Sequence, residues 1–238
     1  MTDFRPELIL VGVVHGDPEG YDKAVALLSR LQPRLVSVEI SEYSWRHRQL
    51  REPAWQSQFQ AALAKLPPQQ RQHLALQRLV AQITMPFEVR AAADYGQRFG
   101  FAWRAIDINA IAREHLPRYS QELLQPDNLC KLLTTPDGDF QAAVAAEYER
   151  AARLITTPRD IGPLQLRALG PQATMREKVL AGRLTRLVRS WSKVVHLGGW
   201  EHLIRTAKNQ TLADLLDPLQ PKRLILLGDD LPKALLTE

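Results

Sequence analysis

The chain has 238 residues, 45% of them hydrophobic and 24% charged, which is the composition of an ordinary globular protein and excludes a disordered tail. No run approaches the ~18 apolar residues a membrane helix needs. The formal charge of +5 is unevenly spread: residues 1–45 carry more acids than bases, while Lys and Arg far outnumber acids between Arg150 and Lys193.

Leu8 to Val14 is a continuous apolar run, as a strand buried on both faces of a parallel sheet requires. It follows Asp3, Arg5 and Glu7 rather than a basic segment, so it reads as a strand and not as a signal peptide. His15 to Gly20 is a loop by composition. Tyr21 to Leu31 places Ala24, Leu27, Leu28 and Leu31 at helical spacing and stops before Pro33. Leu35 to Ile40 reads as the second strand, completing a right-handed βαβ unit.

From Tyr43 to about Pro86 the pattern is helical, broken at Pro67-Pro68, and Glu88 to Arg98 forms a further helix ending near Gly100. Phe101 to Ile106 leads into Asp107 as a third strand. Residues 110–190 are mostly helical, with interruptions at Pro126, at Pro136-Asp137-Gly138 and from Pro158 to Pro171. The fourth strand is Lys193 to Leu197, turned by Gly198-Gly199 into a helix that starts at Leu203-Ile204. The fifth is Arg223 to Leu227, ending at Gly228-Asp229-Asp230. The expectation is one α/β domain over residues 1–238. It has a mostly parallel central sheet flanked by helices, with long helical insertions at about 45–87 and 115–175.

The two ends of the chain rhyme. Each has an apolar strand followed by Gly-x-x-His: Gly12-Val13-Val14-His15 and Gly199-Trp200-Glu201-His202. Ligands of open α/β sheets bind outside the carboxyl ends of strands, so both histidines can reach one crevice. Imidazole is the commonest metal ligand and a general base near neutral pH. Glu39 stands in the apolar context Val36-Ser37-Val38-Glu39-Ile40, where an unpaired charge is costly, and so calls for a cation, a metal or a proton. Arg46 and Arg48 are near enough in sequence to pair with it. Glu88 and Asp107 can face the same crevice or serve as caps and salt-bridge partners. Glu201 reads as either a partner of the His202 ring or an acid favoured by a helix N-terminus. His47, His73, His115 and His196 show no matching context and read as surface or packed histidines.

The single cysteine, Cys130, permits no intrachain disulfide and points to a reducing, cytoplasmic setting. The basic stretch from Arg150 to Lys193 reads first as a solvated helical face. A nucleic-acid partner ranks low, because no zinc-finger, RNA-recognition or helix-turn-helix signature accompanies the charge.

These residues resemble the TraB/PrgY–TIKI superfamily, which also includes erythromycin-esterase-like and ChaN-like proteins. The resemblance rests on Leu10-Val11-Gly12-Val13-Val14-His15, Val38-Glu39-Ile40, Glu88 with Ala92, and Ile106-Asp107 followed by Arg113. It continues through Arg176 and Leu180-Ala181 to Val194-Val195-His196-Leu197-Gly198-Gly199-Trp200-Glu201-His202-Leu203. It implies a metal-dependent hydrolase of peptide or ester bonds. His15, Glu39 and His202 match the family's polar centre, and Glu88, Arg113 and Arg176 its further motif positions. Trp200 and Glu201 stand where relatives often carry a small residue and glycine, and the arginine that usually follows the strand glutamate appears only at Arg46.

On this reading His15, His202 and Glu39 hold a divalent Mn, Co or Zn ion, with Glu39 completing the shell or acting as base. Arg46, Arg113 or Arg176 stabilises an oxyanion. The alternative is a non-catalytic binder of haem or another anionic ligand in the same crevice.

Overall fold

The computed structural model describes residues 6–156, 171–206 and 211–227. Among them, five strands form one all-parallel sheet in the order β3-β2-β4-β1-β5, flanked by nine α-helices. β1 (Glu7–Val13) lies between β4 (Lys193–Gly199) and β5 (Lys222–Ile225), and every residue from Leu8 to Val13 is buried. Layers of helix cover both faces of such a strand, which is why its sequence is unbroken by polar residues. α1 (Gly20–Leu31) buries Ala24, Leu27, Leu28 and Leu31, the stripe its spacing predicts, and leads to β2 (Leu35–Val38).

α2 (Glu42–Leu63) and α3 (Leu74–Ile83) leave the sheet, and α4 (Phe87–Phe99) returns to it. α4 stops where Gly100 adopts φ 72°, a left-handed C-cap that glycine adopts without steric cost. β3 (Ala102–Ala105) follows, then α5 (Asn109–His115) and α6 (Pro126–Leu132). Trp55, Phe59, Leu76, Leu79 and Ile83 of the first helical excursion pack with Leu116, Leu124 and Leu129 of the second. They form an apolar cluster separate from the main core around the sheet. α7 (Phe140–Thr156) and α8 (Pro171–Ser190) then bring the chain back to β4, and α9 (Leu212–Leu215) precedes β5. No described helix is long and apolar enough to cross a membrane.

Strand ends differ from the sequence reading in ways that matter for the crevice. β2 stops at Val38, so Glu39 stands just past the strand rather than inside it. β4 continues through Gly198 and Gly199, which pair in register with Gly12 and Val13 of β1. The chain turns only afterwards, in a 3-10 turn at Trp200–Leu203, and Ile204 is extended rather than helical. The expected end of the fifth strand at Gly228-Asp229-Asp230 lies outside the described residues, as does most of the break from Pro158 to Pro171.

β4 is inserted between β1 and β2, splitting the first βαβ pair. The carboxyl ends of β2, β4 and β1 are therefore consecutive in the sheet, with Val38 opposite Leu197 and Val13 opposite Gly199. Glu39, the second motif and the first motif emerge side by side. Parallel strands place all three at the same edge.

Candidate functional site

The first motif ends in a turn closed by the Asp17 N–H donating to the Val14 carbonyl at 3.1 Å, with Gly16 at φ 82°. A turn of this kind needs positive φ at its third position, which is why glycine follows His15. His15 is thereby lifted off the end of β1 with its ring 56% exposed. Its Nδ1 lies 2.6 Å from Oε1 of Glu88, which α4 buries in its first turn, and its Nε2 faces Oε2 of Glu39 at 3.9 Å.

His202 enters from the other side and is buried. Its Nε2 lies 3.0 Å from Oε1 of Glu39, and its Nδ1 lies 2.5 Å from Oε1 of Glu177 on α8. Each imidazole thus has a buried carboxylate behind Nδ1 and turns Nε2 toward Glu39. Glu39 is fixed in its turn. Arg176 Nη2 donates to its Oε1 at 2.5 Å, and the Gly199 N–H donates to its Oε2 at 2.6 Å. Arg176 also grips Asp107 with Nε at 2.8 Å and Nη2 at 2.7 Å, the two-pronged pairing a guanidinium makes with a carboxylate.

Gly199 is the floor of the cluster. A methyl group there would stand 3.1 Å from His15 Nε2, 3.5 Å from Glu39 Oε2 and 3.6 Å from His202 Cδ2. Three side chains from three strand ends therefore converge over one missing Cβ. Gly198 has the same role for Glu39 and His196: a Cβ would lie 2.9 Å from Glu39 Oε2 and 2.7 Å from His196 Nε2.

The charges follow from these contacts. Burial opposes a charge on His202, but Glu39 and Glu177 outweigh it and raise its pKa to about 10. At the half-exposed His15, Glu88, then Glu39, raises the pKa above the usual histidine value. Burial favours the neutral acid at Glu39, but His202 and Arg176 hold it well below the ordinary carboxylate range. His196, wholly buried, is pushed down to about 4, first by burial, and stays neutral with Nδ1 3.1 Å from Ser37 Oγ.

The structure brings together His15, Glu39, Glu88, Arg176 and His202. It places Arg46 elsewhere, in an exposed pair with Glu42 at 2.5 Å, and Arg113 exposed over the Tyr43 ring at 5.0 Å. Arg48 donates to the carbonyls of Gln82 and Thr84 and to Ser44 Oγ, tying α2 to the end of α3. Both arginines lie in the first two turns of α2, where Glu42 satisfies Arg46 and the end of α3 satisfies Arg48. Glu201 does not back the His202 ring; Glu177 does.

Glu177 and His196 were not singled out in the sequence. Glu177 adjoins Arg176, so an Arg-Glu pair at the start of a helix leading to the second motif was the available cue. His196 carried the same signal as Glu39, a polar side chain in the apolar run Val194-Val195-His196-Leu197.

The donor set suits a first-row metal. Two imidazole nitrogens and a carboxylate are ordinary ligands, and each ring has the outer carboxylate partner typical of metal-bound histidine. Ligands about 2.1 Å from a tetrahedral ion lie roughly 3.4 Å from one another. His202 Nε2 lies 3.0 Å from Oε1 of Glu39 and His15 Nε2 3.9 Å from its Oε2. As they stand, no group of three or more His, Cys, Asp or Glu side chains among the described residues is placed to hold a metal ion. No protein-family model matches the sequence, and neither the curated proteins nor the solved structures hold a significant match.

Proposed function

We propose that the chain is a metal-dependent hydrolase of a peptide or ester bond and a member of the TraB/PrgY–TIKI superfamily. One observation carries this reading: two imidazoles, each backed at Nδ1 by a buried carboxylate, aim Nε2 at the same glutamate over a glycine floor. His15, His202 and Glu39 would hold a divalent Mn, Co or Zn ion, whose Lewis acidity would activate water and polarise a carbonyl.

The protein's own groups supply the rest. With a metal bound, Glu88 and Glu177 would favour a proton on Nδ1 of each ring and leave Nε2 for the ion. Arg176, itself anchored on Asp107, holds Glu39 in place from the side away from His15. The half-exposed His15 ring marks the open side of the crevice, where substrate can approach. Binding of a divalent ion would need both rings deprotonated at Nε2 and would therefore be coupled to proton release.

An anionic ligand such as haem is the weaker reading. Glu39, Glu88, Glu177 and Asp107 crowd the crevice, and its arginines are engaged: Arg176 on two carboxylates, Arg183 on the carbonyls of Ile106 and Asp107.

Metal content and titration of the wild type, His15→Ala and His202→Ala test the proposal. Stoichiometric binding of a first-row metal, lost in both variants, is expected, followed by esterase and peptidase assays with that metal. A wild type that binds none, or variants that bind it unchanged, removes the hydrolase reading.

A further inference from the structure

α7 belongs to the helical excursion and contributes nothing to the cluster around Glu39, yet two adjacent residues on it reach one motif each. The Tyr148 hydroxyl donates to Oδ2 of Asp17 at 3.0 Å, and both residues are buried. Asp17 closes the turn that carries His15: its N–H bonds the Val14 carbonyl, its Oδ1 accepts the Glu19 N–H at 2.9 Å, and Lys23 Nζ joins Oδ2 at 3.0 Å. The neighbouring Glu147 accepts from the indole Nε1 of Trp200 at 3.1 Å. Arg150, one turn further along α7, lays its guanidinium over the same indole at 5.6 Å. Trp200 begins the 3-10 turn that carries His202, and its backbone packs against Gly12.

We infer that Glu147 and Tyr148 are positioning residues. α7 acts as a clamp, with Tyr148 fixing the His15 turn through Asp17 and Glu147 fixing the His202 turn through Trp200, so that this helix sets the spacing of the two imidazoles. The inference rests on the reading of both histidines as one site, and it adds a source for that site's geometry outside the sheet. The parallel pairing of β1 and β4 ends at Val13 and Gly199, and beyond it α7 is one element that hydrogen-bonds to both turns. Helices are stiffer than loops, and two neighbouring residues on one helix hold two loops at a fixed separation.

The test uses the full chain with Tyr148→Phe, which removes one hydroxyl and keeps the ring, and Glu147→Ala, whose side chain is 36% exposed. In metal-free protein the ring-nitrogen NMR shifts of His15 respond to Tyr148→Phe, and those of His202 respond to Glu147→Ala. The other histidine stays unmoved in each case. Zn²⁺ titration then shows about fivefold weaker binding in either variant, the scale of one net hydrogen bond. Shifts that stay put in both variants, or that move together for both rings, overturn the clamp. A wild type that takes up no Zn²⁺ removes the hydrolase reading, while the nitrogen shifts still decide the clamp. If Tyr148→Phe fails to fold, Glu147→Ala decides it through His202 alone.

Discussion

Gly199 of the second motif lies directly beneath His15 of the first: a Cβ at position 199 would stand 3.1 Å from the His15 Nε2. The relationship is reciprocal. Gly12, which opens the first motif, lies against Trp200 of the second, where a Cβ would meet the Trp200 Cα at 2.8 Å. Each motif's glycine is a space occupied by the other motif.

The two glycines therefore fail differently when filled. At Gly12 the obstacle is backbone, which cannot step aside, so Gly12→Ala lowers stability by about 1–3 kcal/mol. At Gly199, whose φ of −55° suits any residue, the obstacle is a half-exposed ring that can swing outward. Gly199→Ala folds with a near-normal urea midpoint and loses metal affinity. Equal stability loss in both variants would contradict this account.

The carboxylates behind the rings separate from the acids that merely lie nearby. Glu88→Gln and Glu177→Gln each weaken metal binding about 10–100-fold, the range expected when the partner of a ligating histidine is removed. Glu201→Gln, Arg46→Ala and Arg113→Ala leave affinity at the wild-type level, because none of the three touches the cluster. Titration calorimetry of the five variants checks both halves.

Arg176 needs its planar fork. It spans Glu39 and Asp107 with two nitrogens, a geometry that the single ammonium of lysine cannot reproduce. Arg176→Lys should therefore lose metal affinity while keeping the positive charge. Unchanged binding in that variant would mean that charge alone positions Glu39.

The metal-free protein carries a pH signature. His202 titrates near 6.5 unfolded and is raised to about 10 in the fold, so its contribution to stability is complete below 6.5 and is lost as the pH climbs through about 10. Glu39 is lowered from 4.5, so its contribution is complete above 4.5 and fades as the pH falls further. In the presence of a chelator the urea midpoint should decline from pH 6.5 to pH 10, and His202→Gln should reduce that slope to the part His15 contributes below about pH 9. A slope as steep as that of the wild type would assign the alkaline loss to other groups.

The α/β class, the order of the elements and the core stripe of α1 were legible in the sequence, because apolar periodicity reflects one-sided or two-sided burial directly. The two Gly-x-x-His turns and Glu39 were legible for a related reason: a polar residue at the end of an apolar run needs a partner. Which partner it finds was not legible. Arg46 and Arg113 are as prominent in the sequence as Arg176, yet helix direction sends the first two to Glu42 and Tyr43 and the third to Glu39. Glu177 offered only its adjacency to Arg176, and Tyr148 no local signal, since their roles exist only where α8 and α7 pack against loops distant in sequence. The sequence by itself determined which groups must be satisfied, through desolvation cost and periodicity. The tertiary structure alone decided who satisfies them, because β4 inserts between β1 and β2 and brings three strand ends and two late helices to one edge of the sheet.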